Sequence, residues 1–328
     1  MDRRYERVSQ ALRALAGFTL LASCATAGAQ AFPTKAIHFL LPFAPGGIGD
    51  ITARVVASKM SENIGQQVVV ENRPGAGMVV SAQAALAAPA DGYTMLLGGN
   101  GTAISQTLFK SLPYNILTDF TQVSTLAFFD LVLLTGPNSK FKSVEDVLAF
   151  AKANPGKMNL GTVSVGSTQN LAAELFKSLS GADLQIVPYK ATPNLILGLR
   201  SGSLDLAFEI VPAMISQIKS DSVKAIGISS LKRSSVLPAT PTIDESGVKG
   251  YQASSWNGVN VKTGTPRPLV ERLSKEITAA LAAPDVQKKM GELGADAHGA
   301  TPDETRQLMI SEIAKWKAVI ERARIPLQ

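Results

Sequence analysis

Short apolar runs alternate with amphipathic segments along most of the chain. Residues 37–42, 68–71 and 94–97 are apolar runs of strand length, and residues 51–64 and 80–87 have the spacing of helices. The resulting order is β-α-β-α-β. This order predicts a parallel sheet that is covered by helices.

The alternation recurs in a second block between residues 131 and 228. Strands are predicted at 131–135, 159–161, 185–189, 204–208 and 223–228, and helices at 144–153, 169–179, 193–199 and 214–219. Ser143 is the expected N-cap of the first of these helices. After this block the pattern is mainly helical, in segments 268–281, 285–293 and 302–324. We therefore predict an α/β protein of two lobes, each a mainly parallel sheet flanked by helices.

Residues 1–31 have a different pattern. Arginines at the start are followed by a short apolar run at 14–22 and by small residues that fit a cleavage site after Ala29 or Ala31. This order predicts a secretory signal peptide and export to the periplasm, and the apolar run is too short for a membrane anchor. Residues 21–24 also match a lipoprotein processing site, so acylation of Cys24 stays open. An amphipathic first helix of a cytosolic protein is the competing interpretation.

Composition excludes several classes of protein. The 328 residues are 45% hydrophobic, which is too apolar for a disordered chain. One cysteine and two histidines rule out a disulfide scaffold and a Cys/His zinc cluster. The net charge of +6 falls to about +4 without residues 1–31, and no basic block stands beside aromatic residues. We expect no metal, no cofactor and no nucleic-acid partner.

Three loops rich in glycine and small polar residues follow predicted strands. Ligands of open α/β sheets bind at the carboxyl ends of strands, and free N–H groups at a helix start favour an anion. The candidate ligand-binding residues are Phe43, Ala44, Pro45, Gly46, Gly47 and Asp50 in the first loop, Asn100 and Thr102 in the second, and Ser164, Val165, Gly166, Ser167 and Thr168 in the third. Each loop is equally consistent with a tight turn whose polar residue caps the next helix.

The chain offers no recognisable catalytic set. His38 is expected to be a core or edge residue of the first strand, and His298 to lie in a surface loop. Asp205 is expected to cap or orient structure, whereas Glu209 is a candidate for the crevice between the lobes. We therefore predict no enzyme activity. A secreted α/β hydrolase or isomerase is the less favoured alternative, because it needs a nucleophile and a base within hydrogen-bond reach.

A series of short motifs points to one family. They include Val-Val-Val-Glu-Asn-Arg-Pro-Gly-Ala-Gly at 68–77, Pro-Ala-Asp-Gly-Tyr-Thr at 89–94, Leu-Pro-Ala-Thr-Pro-Thr at 237–242, Gly-Thr-Pro at 264–266 and Trp-Lys-Ala-Val-Ile at 316–320. In number and order they resemble the extracytoplasmic solute receptors of tripartite tricarboxylate transporters, the Bug family. The resemblance runs from about Phe32 to Ile325.

The resemblance implies a periplasmic binding protein of the Venus-flytrap, type II-like kind. Its first domain would be discontinuous, formed by residues 32–128 and 250–328, and its second domain would be residues 129–249. Family ligands are typically small carboxylates, held by loops that correspond to 43–50 and 163–168. The implied partners are the permease subunits of a tripartite transporter, the expected state is a monomer, and hinge rotation is expected near 127–131 and 249–258. A receptor that feeds a signalling partner remains an alternative.

Four residues depart from the family pattern near the expected ligand. Ser164 replaces a glycine, Asn170 replaces a histidine, Ala191 replaces a glycine, and Glu209 stands where the shorter aspartate is common. The Ser164 side chain is expected to narrow its loop. Glu209 is expected to reach further, toward an amine or hydroxyl of a ligand or toward water.

Overall fold

The computed structural model describes residues 32–328, in which there are ten β-strands and ten α-helices. The strands are β1 Ile37–Leu41, β2 Val68–Asn72, β3 Thr94–Gly99, β4 Phe120–Thr135, β5 Asn159–Val163, β6 Gln185–Tyr189, β7 Leu206–Ile210, β8 Lys224–Ile228, β9 Ser254–Lys262 and β10 Asp296–Ala297. The helices are α1 Ile48–Ile64, α2 Val79–Ala87, α3 Asn100–Leu108, α4 Val144–Ala153, α5 Thr168–Ser180, α6 Thr192–Ser201, α7 Val211–Lys219, α8 Arg267–Ala282, α9 Pro284–Glu292 and α10 Pro302–Ala323. The predicted signal peptide and Cys24 lie outside the described residues.

Most predicted elements are present with small shifts in their ends. Ser143 accepts a hydrogen bond from the Asp146 N–H and caps α4, as predicted. Three elements were missed, namely α3, β9 and the two-residue β10, and β4 is far longer than the predicted strand 131–135. Helix α3 begins with Asn-Gly-Thr, and β9 contains Asn257, Gly258 and Asn260. These residues have weak intrinsic preference for the structures in which they lie.

Each lobe contains three parallel strands joined to antiparallel crossing strands. The first lobe has the order β2-β1-β3-β9-β4-β10, in which β1 is parallel to β2 and β3 and the remaining pairs are antiparallel. The second lobe has the order β8-β4-β7-β5-β6, in which only the β7-β5 and β5-β6 pairs are parallel. The two-lobed α/β fold is confirmed, with a mixed sheet where a mainly parallel one was expected.

Strand β4 belongs to both lobes. Phe120 to Asp130 pair with β9, whereas Leu131 to Thr135 pair with β7 and β8. The chain that returns from the second lobe crosses beside β4. The Ala253 N–H donates to the carbonyl oxygen of Ser229, and the Ser229 N–H donates to the carbonyl oxygen of Leu131 in β4. The lobes are therefore connected where β4 changes partners and where the chain enters β9.

The C-terminal helix packs where the two lobes meet. Trp316 on α10 is fully buried in a core that contains Leu108 from the first lobe and Phe176 from the second. Helix α10 begins with a capping box between Thr301 and Glu304, which fixes its start. Among residues 32–328, no helix combines the length and the apolar character that crossing a membrane requires.

Candidate functional site

The first loop is organised by Asp50. The Asp50 side chain is 3% exposed, and its Oδ2 accepts a hydrogen bond of 3.0 Å from the Gly46 N–H. Its Oδ1 accepts from Arg54 Nε at 3.0 Å and from Asn72 Nδ2 at 2.8 Å. Asn72 Nδ2 also donates to the carbonyl of Phe43. Asp50 therefore stabilises the conformation of the first loop, and the hydrogen-bond partners of its carboxylate all belong to the first lobe.

The charge of Asp50 is retained despite burial. Burial alone raises the pKa of this carboxyl, but hydrogen bonds from Arg54, Gly46 and Asn72 together hold the pKa below its ordinary value. The ionised carboxylate and the Arg54 guanidinium thus form a closed pair beside the loop. The pair leaves little net charge at this position.

Helix α1 begins at Ile48, directly after the exposed residues 44–47. Its N-cap is Gly47, in an extended conformation with φ −76°, and no side chain caps the helix start. The first N–H groups of a helix have no acceptor within the helix, and they lie at the positive end of its dipole. An uncapped start next to an exposed loop is suited to receive an anion.

The second loop is in fact the end of β3 and the start of α3. Thr102 is buried, where its Oγ1 accepts from the Gly99 N–H and donates to the sulfur of Met78. Asn100 is fully buried. The expectation that Asn100 and Thr102 lie in a small polar loop is wrong, because the helix starts at Asn100 itself.

Two of the four expected departures from the family pattern, Ser164 and Asn170, lie in the third loop and in the first turn of the helix that follows it. Ser164 has φ +37°, in the left-handed region that favours glycine, and its N–H donates to the carbonyl of Tyr189. Gly166 has φ +76° and lies against α3, so that an added Cβ would be 2.2 Å from Cδ2 of Leu108. Val165 is 44% exposed. Ser167 caps α5 by accepting from the Asn170 N–H at 3.1 Å.

The first and third loops share one hydrogen-bond design. In each, a glycine with positive φ donates its N–H to the side chain four residues later, from Gly46 to Asp50 and from Gly166 to Asn170, both at 3.0 Å. Asn170 also donates to the hydroxyl of Thr162. The residue that replaces the family's histidine is therefore a loop-stabilising side chain with internal partners.

A buried hydrogen-bond chain joins the lobes between these loops. Asn100 Nδ2 donates to Thr168 Oγ1 at 2.8 Å, from the start of α3 to the start of α5. Asn100 Oδ1 accepts from Trp316 Nε1 at 2.6 Å, and the same indole N–H lies 2.8 Å from Oε2 of Glu312. The third loop thus contacts the first lobe through both Gly166 and Thr168.

Glu209 lies at the carboxyl end of β7 and is 1% exposed. Its Oε1 accepts from Gln169 Nε2 at 2.6 Å and from the Ile210 N–H at 2.8 Å. Its Oε2 accepts from the hydroxyl of Thr192 at 2.7 Å. The carboxylate therefore sits where α5, α6 and α7 begin.

Sequence reasoning missed several of the residues that build the site. They are Arg54 and Asn72 around Asp50, Gln169 and Thr192 around Glu209, and Leu108 and Trp316 beside the third loop. Asn72 and Trp316 lie within the motifs that carry the family resemblance, and these motifs were the available signal in the sequence.

Both histidines lie away from these loops. His38 was expected in the core or at an edge, but it is half-exposed on β1, a strand between two others, where its Nδ1 contacts Glu71 at 2.5 Å. His38 is exposed although its strand is central, because its side chain points to the opposite face of the sheet from the buried side chains of β1. His298 is exposed, as predicted. Asp205 orients structure as predicted, since its Oδ2 accepts from the Asn159 N–H.

The sequence model of the tripartite tricarboxylate transporter family receptor matches residues 52–325. Protein BugT of Bordetella pertussis is 35% identical over 306 residues, which cover 93% of this chain and 94% of BugT. This chain belongs to the tripartite tricarboxylate transporter receptor family. The family resemblance inferred from its motifs is confirmed.

Solved structures agree with this assignment. R. palustris Rpa4515 with adipate is 31% identical and has a TM-score of 0.78, over 90% of this receptor and 99% of that chain. The periplasmic binding protein BugD is 30% identical with a TM-score of 0.75, over 90% and 100% of the two chains. MatC from Rhodopseudomonas palustris with bound malate is 29% identical with a TM-score of 0.73, over 88% and 100%. The receptor shares the fold of these binding proteins.

Proposed function

We propose that this receptor captures a small carboxylate between its two lobes and presents it to the membrane subunits of a tripartite tricarboxylate-type transporter. It acts in the periplasm as a monomer, after residues 1–31 are removed or Cys24 is acylated. Its ligand-binding lobes are residues 32–128 with 250–328, and residues 129–249.

The observation that carries this proposal is the uncapped start of α1 beside the exposed loop Ala44–Gly47. A carboxylate there replaces its hydration shell with backbone N–H donors at the positive end of a helix. Asp50 is held by Arg54 and Asn72, so its charge is already paired. The loop can therefore accept a second negative group.

The third loop faces the first lobe and supplies the opposing wall. Thr168 and Gly166 contact Asn100 and Leu108, so the starts of α3 and α5 lie side by side. We propose that these contacts form as the lobes close about the crossing segments near 127–131 and 249–258. Relatives bound to adipate and to malate support a carboxylate as the ligand.

A thermal-shift screen of the mature protein tests the proposal. The panel contains dicarboxylates, tricarboxylates, acidic amino acids, aromatic acids and neutral amides. A ligand present at 100 times its dissociation constant is expected to add about 2.7 kcal/mol to the free energy of unfolding. Stabilisation by neutral amides alone would contradict a carboxylate receptor.

Gly47→Val identifies the loop that binds. A Cβ at position 47 meets only the Ala44 carbonyl, at 4.0 Å, and the backbone φ of −76° suits valine, so the variant is expected to fold. The new side chain covers the loop backbone, and carboxylate binding is expected to be lost. Gly291→Val is the matched control, since a Cβ there meets nothing within 4 Å and the site is on α9. Equal affinity in the two variants would overturn the loop assignment.

The N-terminal part of the proposal has its own test. Intact-mass analysis of the exported protein is expected to give the mass of a chain cut after Ala29 or Ala31. A mass that includes Cys24 with attached acyl chains would show a lipoprotein. A mass that retains all of residues 1–31 would contradict export with processing.

A further inference from the structure

Asn257 is a buried side chain whose amide has no hydrogen-bond partner in the described part of the protein. It lies on β9 and is 7% exposed. Among residues 32–328, no side chain or backbone group hydrogen-bonds to its Oδ1 or Nδ2. Neither atom belongs to the unpartnered polar atoms of these residues that are fully enclosed, so the exposed part of Asn257 includes its amide. A buried amide without a partner is costly, which indicates that a molecule from outside the chain satisfies it.

The amide lies beside the uncapped start of α1. Asn257 is in register with Gly99, the last residue of β3, and β3 is parallel to β1, which leads into the first loop. That end of an α/β sheet is where ligands bind. Gly49 in the first turn of α1 is so close that an added Cβ would be 3.2 Å from Asn257 Nδ2 and 2.8 Å from the ring of Phe43. Glycine at position 49 therefore lets the Asn257 amide approach the helix start.

The amide offers two kinds of hydrogen bond to a ligand. Its Nδ2 is a donor, and a donor next to the free N–H groups of α1 adds to the binding of a carboxylate there. Its Oδ1 is an acceptor, but an ionised carboxylate has no hydrogen to donate. A hydroxyl or amino group on the carbon next to the carboxylate supplies that hydrogen, because it lies at the same end of the ligand.

We infer that Asn257 is a ligand-binding residue that recognises a carboxylate together with a hydrogen-bond donor on the neighbouring carbon. The receptor thereby selects 2-hydroxy and 2-amino carboxylates over the same acids without that substituent. A ligand of this class satisfies both the donor and the acceptor of the buried amide, whereas an unsubstituted acid leaves Oδ1 without a partner. This inference rests on the proposed function and specifies its ligand class.

Ligand pairs that differ only in the hydroxyl group test the selectivity. Calorimetry measures the dissociation constants of malate against succinate, of citrate against tricarballylate, and of mandelate against phenylacetate, with the enantiomers of malate and mandelate titrated separately. For the pair that the receptor binds most tightly, the hydroxy acid is expected to bind about three- to tenfold more tightly than the unsubstituted acid, which is the contribution of one hydrogen bond.

Asn257→Leu assigns the selectivity to the amide, because leucine has a similar size and no polar atom. This variant is expected to lose the preference and to bind the hydroxy acid about tenfold more weakly. Since it removes an unsatisfied buried amide, its melting temperature without ligand is expected to equal or exceed that of the wild type. A purely structural asparagine would give a lower melting temperature and an unchanged ratio of dissociation constants.

The matched control is Asn154→Leu. The Asn154 amide donates to the carbonyl of Phe150 at the end of α4, so the same replacement there removes a hydrogen bond within the protein. Its melting temperature is expected to fall, and the ratio of dissociation constants is expected to stay that of the wild type.

Asn257→Asp tests the donor separately. The variant keeps the shape of the side chain and places a negative charge where Nδ2 would donate. Binding of every carboxylate in the set is expected to weaken by at least about tenfold at neutral pH. Undiminished affinity would show that Nδ2 does not contact the ligand.

The outcomes separate this inference from the proposed function. Wild-type protein that binds carboxylates with no preference for the hydroxy acids overturns the inference and leaves the carboxylate receptor intact. Unchanged affinity in Asn257→Leu and Asn257→Asp overturns the assignment to Asn257. Folded wild-type protein that binds no carboxylate in this set or in the screen overturns both proposals. If Asn257→Leu does not fold, the wild-type ratios and Asn257→Asp still decide.

Discussion

Asn100 donates a hydrogen bond of 2.8 Å to the hydroxyl of Thr168, and both side chains are buried. Asn100 begins α3 in the first lobe and Thr168 begins α5 in the second. The bond therefore exists only when the starts of α3 and α5 lie side by side. We expect its free energy to favour the closed arrangement of the lobes that is proposed above.

Removal of the Thr168 hydroxyl is expected to weaken ligand binding. Thr168→Val leaves the Asn100 amide buried without its partner, which costs about 1–3 kcal/mol, or roughly a 5- to 150-fold loss of affinity. Calorimetric titration with a carboxylate found in the screen measures this loss. Thr107→Val is the control, because the Thr107 hydroxyl donates to Ile104 within α3. An affinity unchanged by Thr168→Val would mean that the bond does not contribute to closure.

Trp316 is expected to report ligand binding by its fluorescence. Its indole N–H bonds to Asn100, which in turn bonds to Thr168, so movement of the third loop changes the surroundings of the indole. Trp256→Phe isolates this signal. The Trp256 indole N–H has no hydrogen-bond partner among residues 32–328, so this replacement sacrifices no polar contact.

The fluorescence experiment has an internal control. In the Trp256→Phe background, a carboxylate ligand is expected to shift the emission of Trp316. Adding Asn100→Ala is expected to reduce that shift, although Trp316 keeps Glu312 as a partner. If the emission shift is identical with and without Asn100→Ala, the Asn100 side chain does not transmit ligand binding to the Trp316 indole.

Ser164→Gly is expected to stabilise the receptor. The φ of +37° at Ser164 costs a residue with a Cβ about 1–2 kcal/mol, whereas glycine adds about 0.5–1 kcal/mol of unfolded-state entropy. The expected net gain in the free energy of unfolding is about 0.5–1 kcal/mol. Denaturant unfolding measures it, and Ser164→Ala, which retains the Cβ, is expected to give no gain. A loss of stability in Ser164→Gly would show that the serine hydroxyl contributes more than the strain.

Acid is expected to remove the stability that Asp50 provides. The pKa of this carboxyl is held low in the folded protein, so its contribution is full above the ordinary pKa of aspartate and disappears as pH falls through the folded value. The difference in free energy of unfolding between wild-type protein and Asp50→Asn is therefore expected to be constant above about pH 5 and to shrink below about pH 4. A difference that stays constant down to pH 2 would contradict the proposed low pKa.

Much of the fold was predictable from local pattern. Strand β6 and helix α4 match their predicted bounds because a short apolar run and a capped amphipathic segment each indicate their own structure. Helix α3 and the first part of β4 were not predictable in this way. Asn100 is held at the helix start by hydrogen bonds with Trp316 and Thr168, and these partners are distant from it in sequence.

The candidate site was predictable as loops but not as contacts. The glycines and small polar residues predicted loops at 42–50 and 161–170, at strand ends. The structure has shorter loops there, at 42–47 and 164–167, because α1 begins at Ile48, β5 continues to Val163 and α5 begins at Thr168. The sequence could not tell that Asp50 faces inward to Arg54 and Asn72 rather than outward to a ligand. That orientation depends on residues brought together by the sheet, as does the burial of Glu209 between Gln169 and Thr192.

The pairing of β3 with β9 sets the order in which the receptor is able to fold. Between these two neighbouring strands the chain builds β4 and the whole second lobe. The first lobe therefore has an unpaired sheet edge at β3 until residues 254–262 have been synthesised. Helix α10, which packs where the two lobes meet, is the last element to be added. Such long-range closure is slow. The strands β1, β2 and β3 of the first lobe are accordingly expected to stay without their full sheet until residues 254–262 have been synthesised, whereas residues 131–228 can complete their own sheet earlier.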